Sequence, residues 1–161
     1  MKGVIQPDHV PVNKYKFLVI GLLGPPYLTP VTVSGSTEES EWVELPDLTV
    51  APLGRTRPVE FSIGIPMHHK AEQTALELWM IESREPQIPT YKKPCVLTHQ
   101  SISGDNMSYV YLDAFPLSRV LPNLSMADDG NMAVVTWNFK ASLVLPLFIA
   151  ESIVGAVGNL L

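Results

Sequence analysis

Residues 133–145 read Ala-Val-Val-Thr-Trp-Asn-Phe-Lys-Ala-Ser-Leu-Val-Leu. Val135, Trp137, Phe139, Ala141, Leu143 and Leu145 alternate with Thr136, Asn138, Lys140 and Ser142. Successive side chains of a strand point to opposite faces, so this period of two places a bulky apolar row on one side and a polar row on the other. A helix would scatter both sets around its circumference. The stretch predicts one long strand, able to serve more than one partner, in a mainly β fold.

The pattern recurs outward from there. In residues 57–66, Val59, Phe61, Ile63 and Ile65 alternate with Pro58, Glu60, Ser62 and Gly64. Residues 15–20 and 107–114 add aromatic and β-branched runs, and weaker strands are expected over 28–34, 42–45 and 95–102. Asp128-Asp129-Gly130-Asn131 is turn chemistry. One segment breaks the rhythm. Residues 67–84 hold no Gly or Pro, and Ala71, Ala75, Leu78 and Trp79 fall at helical spacing, with Leu76 and Met80 widening the stripe. Pro66 and Pro86 punctuate its ends, so one flanking helix is expected at about 67–84. Residues 46–57, interrupted by Pro46 and Pro52, read as a long loop. Loops of that length are usually functional or pinned by a partner.

A chain of 161 residues is sized for one domain and can bury a core without staples. The reading is a β domain over 1–147 followed by an apolar extension over 148–161. Eleven Lys+Arg against sixteen Asp+Glu leave a net charge of −5, the wrong sign for gripping a phosphate backbone. A single cysteine, Cys95, cannot form an internal disulfide. Charged residues are 17%, apolar ones 46%, and mean hydropathy is +0.16. Average soluble domains carry about 25% charge, so this chain reads as one that buries surface against other chains or a membrane. Fifteen prolines disfavour a helical bundle. A basic nucleic-acid binder, a disulfide scaffold and a coiled coil are excluded.

The ends bear on localisation. The opening residues 1–9 lack the apolar run of a signal peptide. Residues 141–161 contain one charge, Glu151, and approach the length of a membrane span. Glu151 would cost about 2.5–3.5 kcal/mol at the centre of a span, Pro146 interrupts it, and no basic cluster flanks it. The expectation is no membrane, with 148–161 docked on its own or a neighbouring domain.

Candidate chemistry is thin. His68 and Glu72 stand four residues apart, which could place two metal ligands on one helix face, but no third ligand is evident. A solvated first helical turn, with Glu72 favoured by the helix dipole, is the better reading. Asp128-Asp129-Gly130-Asn131 lacks the register of a calcium loop. Cys95 and His99 would lie about 13 Å apart along a strand, too far for proton transfer. No nucleophile elbow, phosphate-cradling glycine loop or paired-carboxylate motif is present, so neither an enzyme nor a cofactor or metal is implied. Residues 37–47 gather Glu38, Glu39, Glu41, Glu44 and Asp47 without one positive charge, the composition of a solvated loop and edge strand.

The order of segments resembles the tail tube proteins of contractile-tailed bacteriophages. It is carried by Tyr15-Lys16-Phe17-Leu18-Val19-Ile20, by Val33-Ser34-Gly35 leading into acidic residues, and by the alternating strand over 57–65. Leu78-Trp79 on the helix, Gly104-Asp105, Asp113-Ala114-Phe115-Pro116 and Pro122-Asn123-Leu124-Ser125 before the last long strand complete it, covering about residues 10–145. In place of the glycine-rich, basic long loop of that family stands Pro46-Asp47-Leu48-Thr49-Val50-Ala51-Pro52-Leu53-Gly54-Arg55, and residues 148–161 exceed the family's length.

The resemblance implies a β-sandwich or partial barrel with one flanking helix, assembling into hexameric rings with a continuous inner β-barrel. Stacked rings would form a tube inside a contractile sheath, with tape-measure protein in the lumen and baseplate, initiator and terminator proteins at the ends. It would be a virion component assembled in the bacterial cytoplasm, passing double-stranded DNA. An acidic lumen would suit DNA transport, since tight phosphate contacts would arrest it. On charge and strand face, Glu38, Glu39, Glu41, Glu44 and Glu60 are expected to include lumen residues. Leu48, Val50, Leu53 and Arg55 of the long loop, with Phe148, Ile149 and Ile153, are expected at inter-ring or inter-subunit contacts. A protein-carrying tube of a tailocin or type VI-like device stays open as an alternative, as does a membrane-anchored β-sandwich binding module.

Overall fold

In a computed structural model the strands run in the order β1 (Tyr15–Val19), β2 (Tyr27–Leu28), β3 (Thr32–Val33), β4 (Ser40–Glu44), β5 (Val50–Thr56), β6 (Val59–Pro66), β7 (Lys93–His99), β8 (Met107–Val120), β9 (Val134–Ala141) and β10 (Leu143–Pro146). Helix α1 (Lys70–Ser83) and a 3₁₀ turn, Pro89–Tyr91, separate β6 from β7. The structure describes residues 14–24, 27–85, 89–100, 106–127 and 130–147. The expected mainly β architecture with one flanking helix is the one found.

Among the described residues strands pair antiparallel in the order β2-β1-β7-β8-β9-β6-β3, with β10 added to β8, while β4 and β5 pair only with each other. Burial follows the alternation. Val59, Phe61, Ile63 and Ile65 of β6 meet Val135, Trp137, Phe139 and Ala141 of β9 on one buried face. Phe17 and Val19 of β1 and Cys95 and Leu97 of β7 form the opposing layer. Phe61 stands between them, its ring centroid 5.2 Å from Phe139 and 4.2 Å from Tyr111. Helix α1 closes one end with Leu76 and Trp79, both buried. Gln73 fastens it: its amide donates to the Ile65 carbonyl at 3.1 Å, and its oxygen accepts from Trp137 Nε1 at 3.0 Å.

The sheet folds over at one place. Asp113 adopts φ 54, a left-handed conformation that Asp tolerates better than most residues. There β8 carries an extra residue, since Lys93 pairs with Ala114 but Cys95 with Tyr111. Such a bulge bends a strand and re-aims the residues beyond it. Residues 107–114 of β8 accordingly pair with β7 and β10, and residues 115–120 with β9. The partner strand bends beside it at Ser142, whose N–H donates to the Leu112 carbonyl at 3.0 Å. Two layers thus arise from one bent hairpin.

Four sequence expectations are corrected. The single strand over 133–145 is two, β9 and β10, broken at Ser142 by that bend. The strand over 107–114 runs on to Val120. The strand over 28–34 is split, because Thr29 is held by Glu72 and the chain crosses from β1 in one layer to β6 in the other. The long loop over 46–57 is largely β5, paired with β4. A two-stranded ribbon has an unpaired edge on each side, and edge positions tolerate proline. Ser40 pairs with Thr56 and Trp42 with Pro52, so a bulge beside Pro52 absorbs the irregularity.

Candidate functional site

Three surfaces stand out. The first is the outer face of β6, β9 and the far half of β8. Cross-strand register sets Ser62 beside Asn138 and Asn138 beside Ser118, with Glu60 beside Lys140. Asn138 Nδ2 donates to Ser118 Oγ at 2.9 Å, and Lys140 Nζ lies 3.7 Å from Glu60 Oε1. The result is a polar wall of hydroxyls and amides whose paired charges nearly cancel. Among the described residues its ends are strand edges: β3 pairs only with β6, and the far half of β8 only with β9.

The second is the β4–β5 ribbon, joined to β3 and β6 by short connections and held at its base by the Arg57 N–H to the Glu39 carbonyl at 2.9 Å. Its tip is a tight turn: Leu48 N–H donates to the Leu45 carbonyl at 3.0 Å and Leu45 N–H to the Thr49 carbonyl at 2.8 Å. Asp47 Oδ1 accepts from Thr49 Oγ1 at 2.6 Å, and this contact holds the Asp47 carboxyl below its usual range. Leu48 stands at φ 65, where glycine would be expected. The ribbon sets exposed apolar side chains among acidic ones: Trp42 is 62% exposed, Val50 66% and Leu48 82%, interleaved with Glu41, Glu44 and Asp47.

The third is a groove of about 690 Å³ between the edge strands β3 and β10. Tyr15, Leu97, His99 and Tyr109 floor it, with Val33 and Val144 on its walls. Among the described residues no ladder closes this seam. Tyrosine hydroxyls bridge it instead, Tyr111 to Ser36 Oγ at 3.1 Å and Tyr15 to the Pro30 carbonyl at 2.7 Å. Burial pushes the Tyr111 hydroxyl pKa up, with the Ser36 contact opposing it.

Solved structures that share this fold include chains of contractile injection assemblies. A chain of the sheath/tube terminator of the PVC extracellular contractile injection system, in its extended state, superposes with a TM-score of 0.70 at 19% identity, covering 89% of this chain and 99% of that one. A chain of the PVC sheath–tube complex gives 0.64 at 17% identity over 86% and 90%. Hcp1 from Flavobacterium johnsoniae gives 0.51 at 14% identity over 82% and 98%. The fold is that of contractile-injection tube proteins. No family model and no curated protein sequence matches the chain.

Within this tube fold the sequence-predicted residues separate. Glu38 lines the groove. Glu39 lies 3.6 Å from Arg57 at the ribbon's base. Glu41 and Glu44 fall on opposite faces of β4 by alternation. Of the five glutamates, only Glu60 belongs to the polar wall. Leu48 stands at the tip of the ribbon and Val50 and Leu53 on β5, all exposed, and Arg55 lies on β5 between them and its base. Phe148, Ile149 and Ile153 lie outside the described residues.

The polar clusters are structural. Glu72 is buried, not solvated: it accepts from Thr29 Oγ1 at 2.8 Å and from the Thr29 N–H at 3.2 Å. Its histidine neighbour is His69, with Nδ1 3.6 Å away, whereas His68 packs edge-on against the His69 ring. Among the described residues no three His, Cys, Asp or Glu side chains gather as a metal site. Cys95 is fully buried, and burial pushes its thiol pKa well above the ordinary value. Among the described residues no helix is long and apolar enough to cross a membrane. Sequence reading missed the groove, because Tyr15, His99 and Tyr109 come from three strands and share a face only once paired.

Proposed function

We propose that this chain is the non-enzymatic structural subunit of the tube of a phage-like contractile apparatus. Six copies close into a ring and rings stack into a tube. The observation that carries the reading is the superposition over nearly the full length of both chains with a component of an injection-system terminator. Physical chemistry supports it. Exposed sheet edges invite pairing with another chain, and joining edges around a ring removes them. The polar wall of β6, β9 and β8 would then line the lumen, and the β4–β5 ribbon would reach a neighbouring subunit or ring, burying Leu48, Val50 and Leu53. The partners in this reading are further copies of the chain, a sheath outside, a tape-measure protein inside, and baseplate, initiator and terminator proteins at the ends. A phage tail of this kind is a virion component assembled in the host cytoplasm.

Two cargoes fit. Net acidity favours double-stranded DNA, which an acidic conduit passes without gripping. The nearly neutral wall, with Glu60 set against Lys140, equally suits a protein-carrying injection device. Negative-stain electron microscopy of the purified, untagged chain tests the assembly: hollow rings or tubes are expected. A protein that stays monomeric even with a tail-initiation complex added overturns the reading. Particles purified from the producing cell distinguish the cargo by whether nuclease-protected DNA or only protein accompanies the tube.

A further inference from the structure

We propose that the groove between β3 and β10 is the seat of this chain's own C-terminal segment, residues 148–161. The groove is apolar in its body, through Leu97, Val33, Val144 and the rings of Tyr15 and Tyr109, and polar at its rim, through His99 and Glu38. Strand β10 delivers the chain to this spot. Val144 is part of the wall, and Pro146 pairs with Tyr109 of the floor. The described residues end one position later, at Leu147.

Residues 148–161, Phe-Ile-Ala-Glu-Ser-Ile-Val-Gly-Ala-Val-Gly-Asn-Leu-Leu, carry one charge in fourteen positions. At about 3.3 Å per residue such a segment reaches up to roughly 46 Å, more than enough to turn back across an adjoining groove. An apolar run and an apolar groove side by side in water both bear a hydration cost that their contact removes. The tether raises the segment's local concentration to about the millimolar range, so a weak intrinsic affinity keeps the groove filled. The other terminus is a poorer fit: residues 1–13 carry Lys2, Asp8, Pro7 and Pro11. The proposal stands on the subunit alone and does not depend on the tube reading.

The test uses the full chain with Tyr109→Cys combined with Ile149→Cys or with Ile153→Cys, treated with a short bismaleimide. Cys95 does not compete, being fully buried with its thiol held protonated. The expected product is a monomer with an internal link between the two introduced thiols, located by peptide mapping. In the single variant Tyr109→Cys, maleimide labelling should be at least about tenfold faster after truncation behind Leu147. Links found only between chains would assign the segment to a second copy and overturn the proposal. So would the absence of any link together with equal labelling rates. If the truncated chain does not fold, the cross-link in the full chain decides.

Discussion

Gly64 lies where β3 crosses β6, and the space for a side chain is already taken. A Cβ there would stand 2.9 Å from Val134 Cγ1 and press directly on Thr32 Oγ1. Gly64→Ala should therefore cost about 1–3 kcal/mol, as overpacked sites do. For a chain of this length that is a fall in Tm of roughly 2–4 °C per kcal/mol in a thermal melt. Thr32→Ala in the same chain should restore part of the loss, by removing one of the two clashes. Glu82 offers a different measurement. The Thr90 hydroxyl donates to it at 2.6 Å and Lys93 Nζ lies 3.4 Å away, together holding its carboxyl below the ordinary range against partial desolvation. A carboxylate depressed on folding contributes stability above its unfolded pKa of about 4.3, and that contribution disappears as pH falls through the lower folded value. Urea denaturation should therefore show Glu82→Gln less stable than the parent at pH 7 and equal to it near pH 3. A constant difference across that range would dissociate Glu82 from the acid response. Residue roles were legible only where partners are near in sequence. Glu72 reads as a solvated first-turn acid because Thr29, which buries it, lies 43 positions earlier.

At the scale of elements, alternation was legible wherever one face of a strand packs on the core. Residues 57–66 and 133–141 show it plainly, because Phe61, Ile63, Trp137 and Phe139 must point inward together. The ribbon has no such constraint. Trp42 and Val43 are both exposed though they point to opposite faces, so no period marks β4, and Pro52 and Gly54 disguise β5. The bend at Asp113 was equally hidden, since Asp is tolerated at positive φ without being diagnostic of it. A two-stranded ribbon is marginal alone in water, and this one carries a leucine at its tip in a left-handed conformation. That placement costs about 1 kcal/mol relative to glycine. Leu48→Gly should thus leave the subunit as stable or slightly more so by thermal melt. The same change removes the most exposed large side chain of the ribbon. If the ribbon joins subunits, Leu48→Gly combined with Trp42→Ser should shift light scattering from assemblies toward folded monomers. Unaltered assembly would remove the ribbon from the contact.

At the scale of the whole molecule, one bent hairpin leaves a two-layer domain with a polar outer wall, sheet edges beside it that are unpaired among the described residues, and a separate arm with exposed apolar side chains. The edges and the exposed apolar side chains of the arm are unfavourable in a solitary subunit, and in the proposed ring all three features would find a use. The wall decides what such a ring could carry. Glu60 offsets Lys140 on it, so Glu60→Lys changes a neutral pair into two adjacent positive charges, which the proposed ring would repeat once per subunit around its conduit. Both side chains sit on the outer face, away from Phe61 and Phe139, so folding and ring closure should survive and tubes should look normal by electron microscopy. A polyanion would then meet about one attractive contact per added cation, and the cost of moving it onward would depend steeply on salt. In a DNA-carrying particle, ejection should slow markedly at low ionic strength and recover as salt screens the wall, within a Debye length that shrinks from about 30 Å at 0.01 M to 10 Å at 0.1 M. In a protein-carrying device the same substitution should slow acidic cargo and spare neutral cargo. Delivery rates identical to the parent at every salt concentration, from tubes proven intact, would mean that β6 and β9 face away from the conduit.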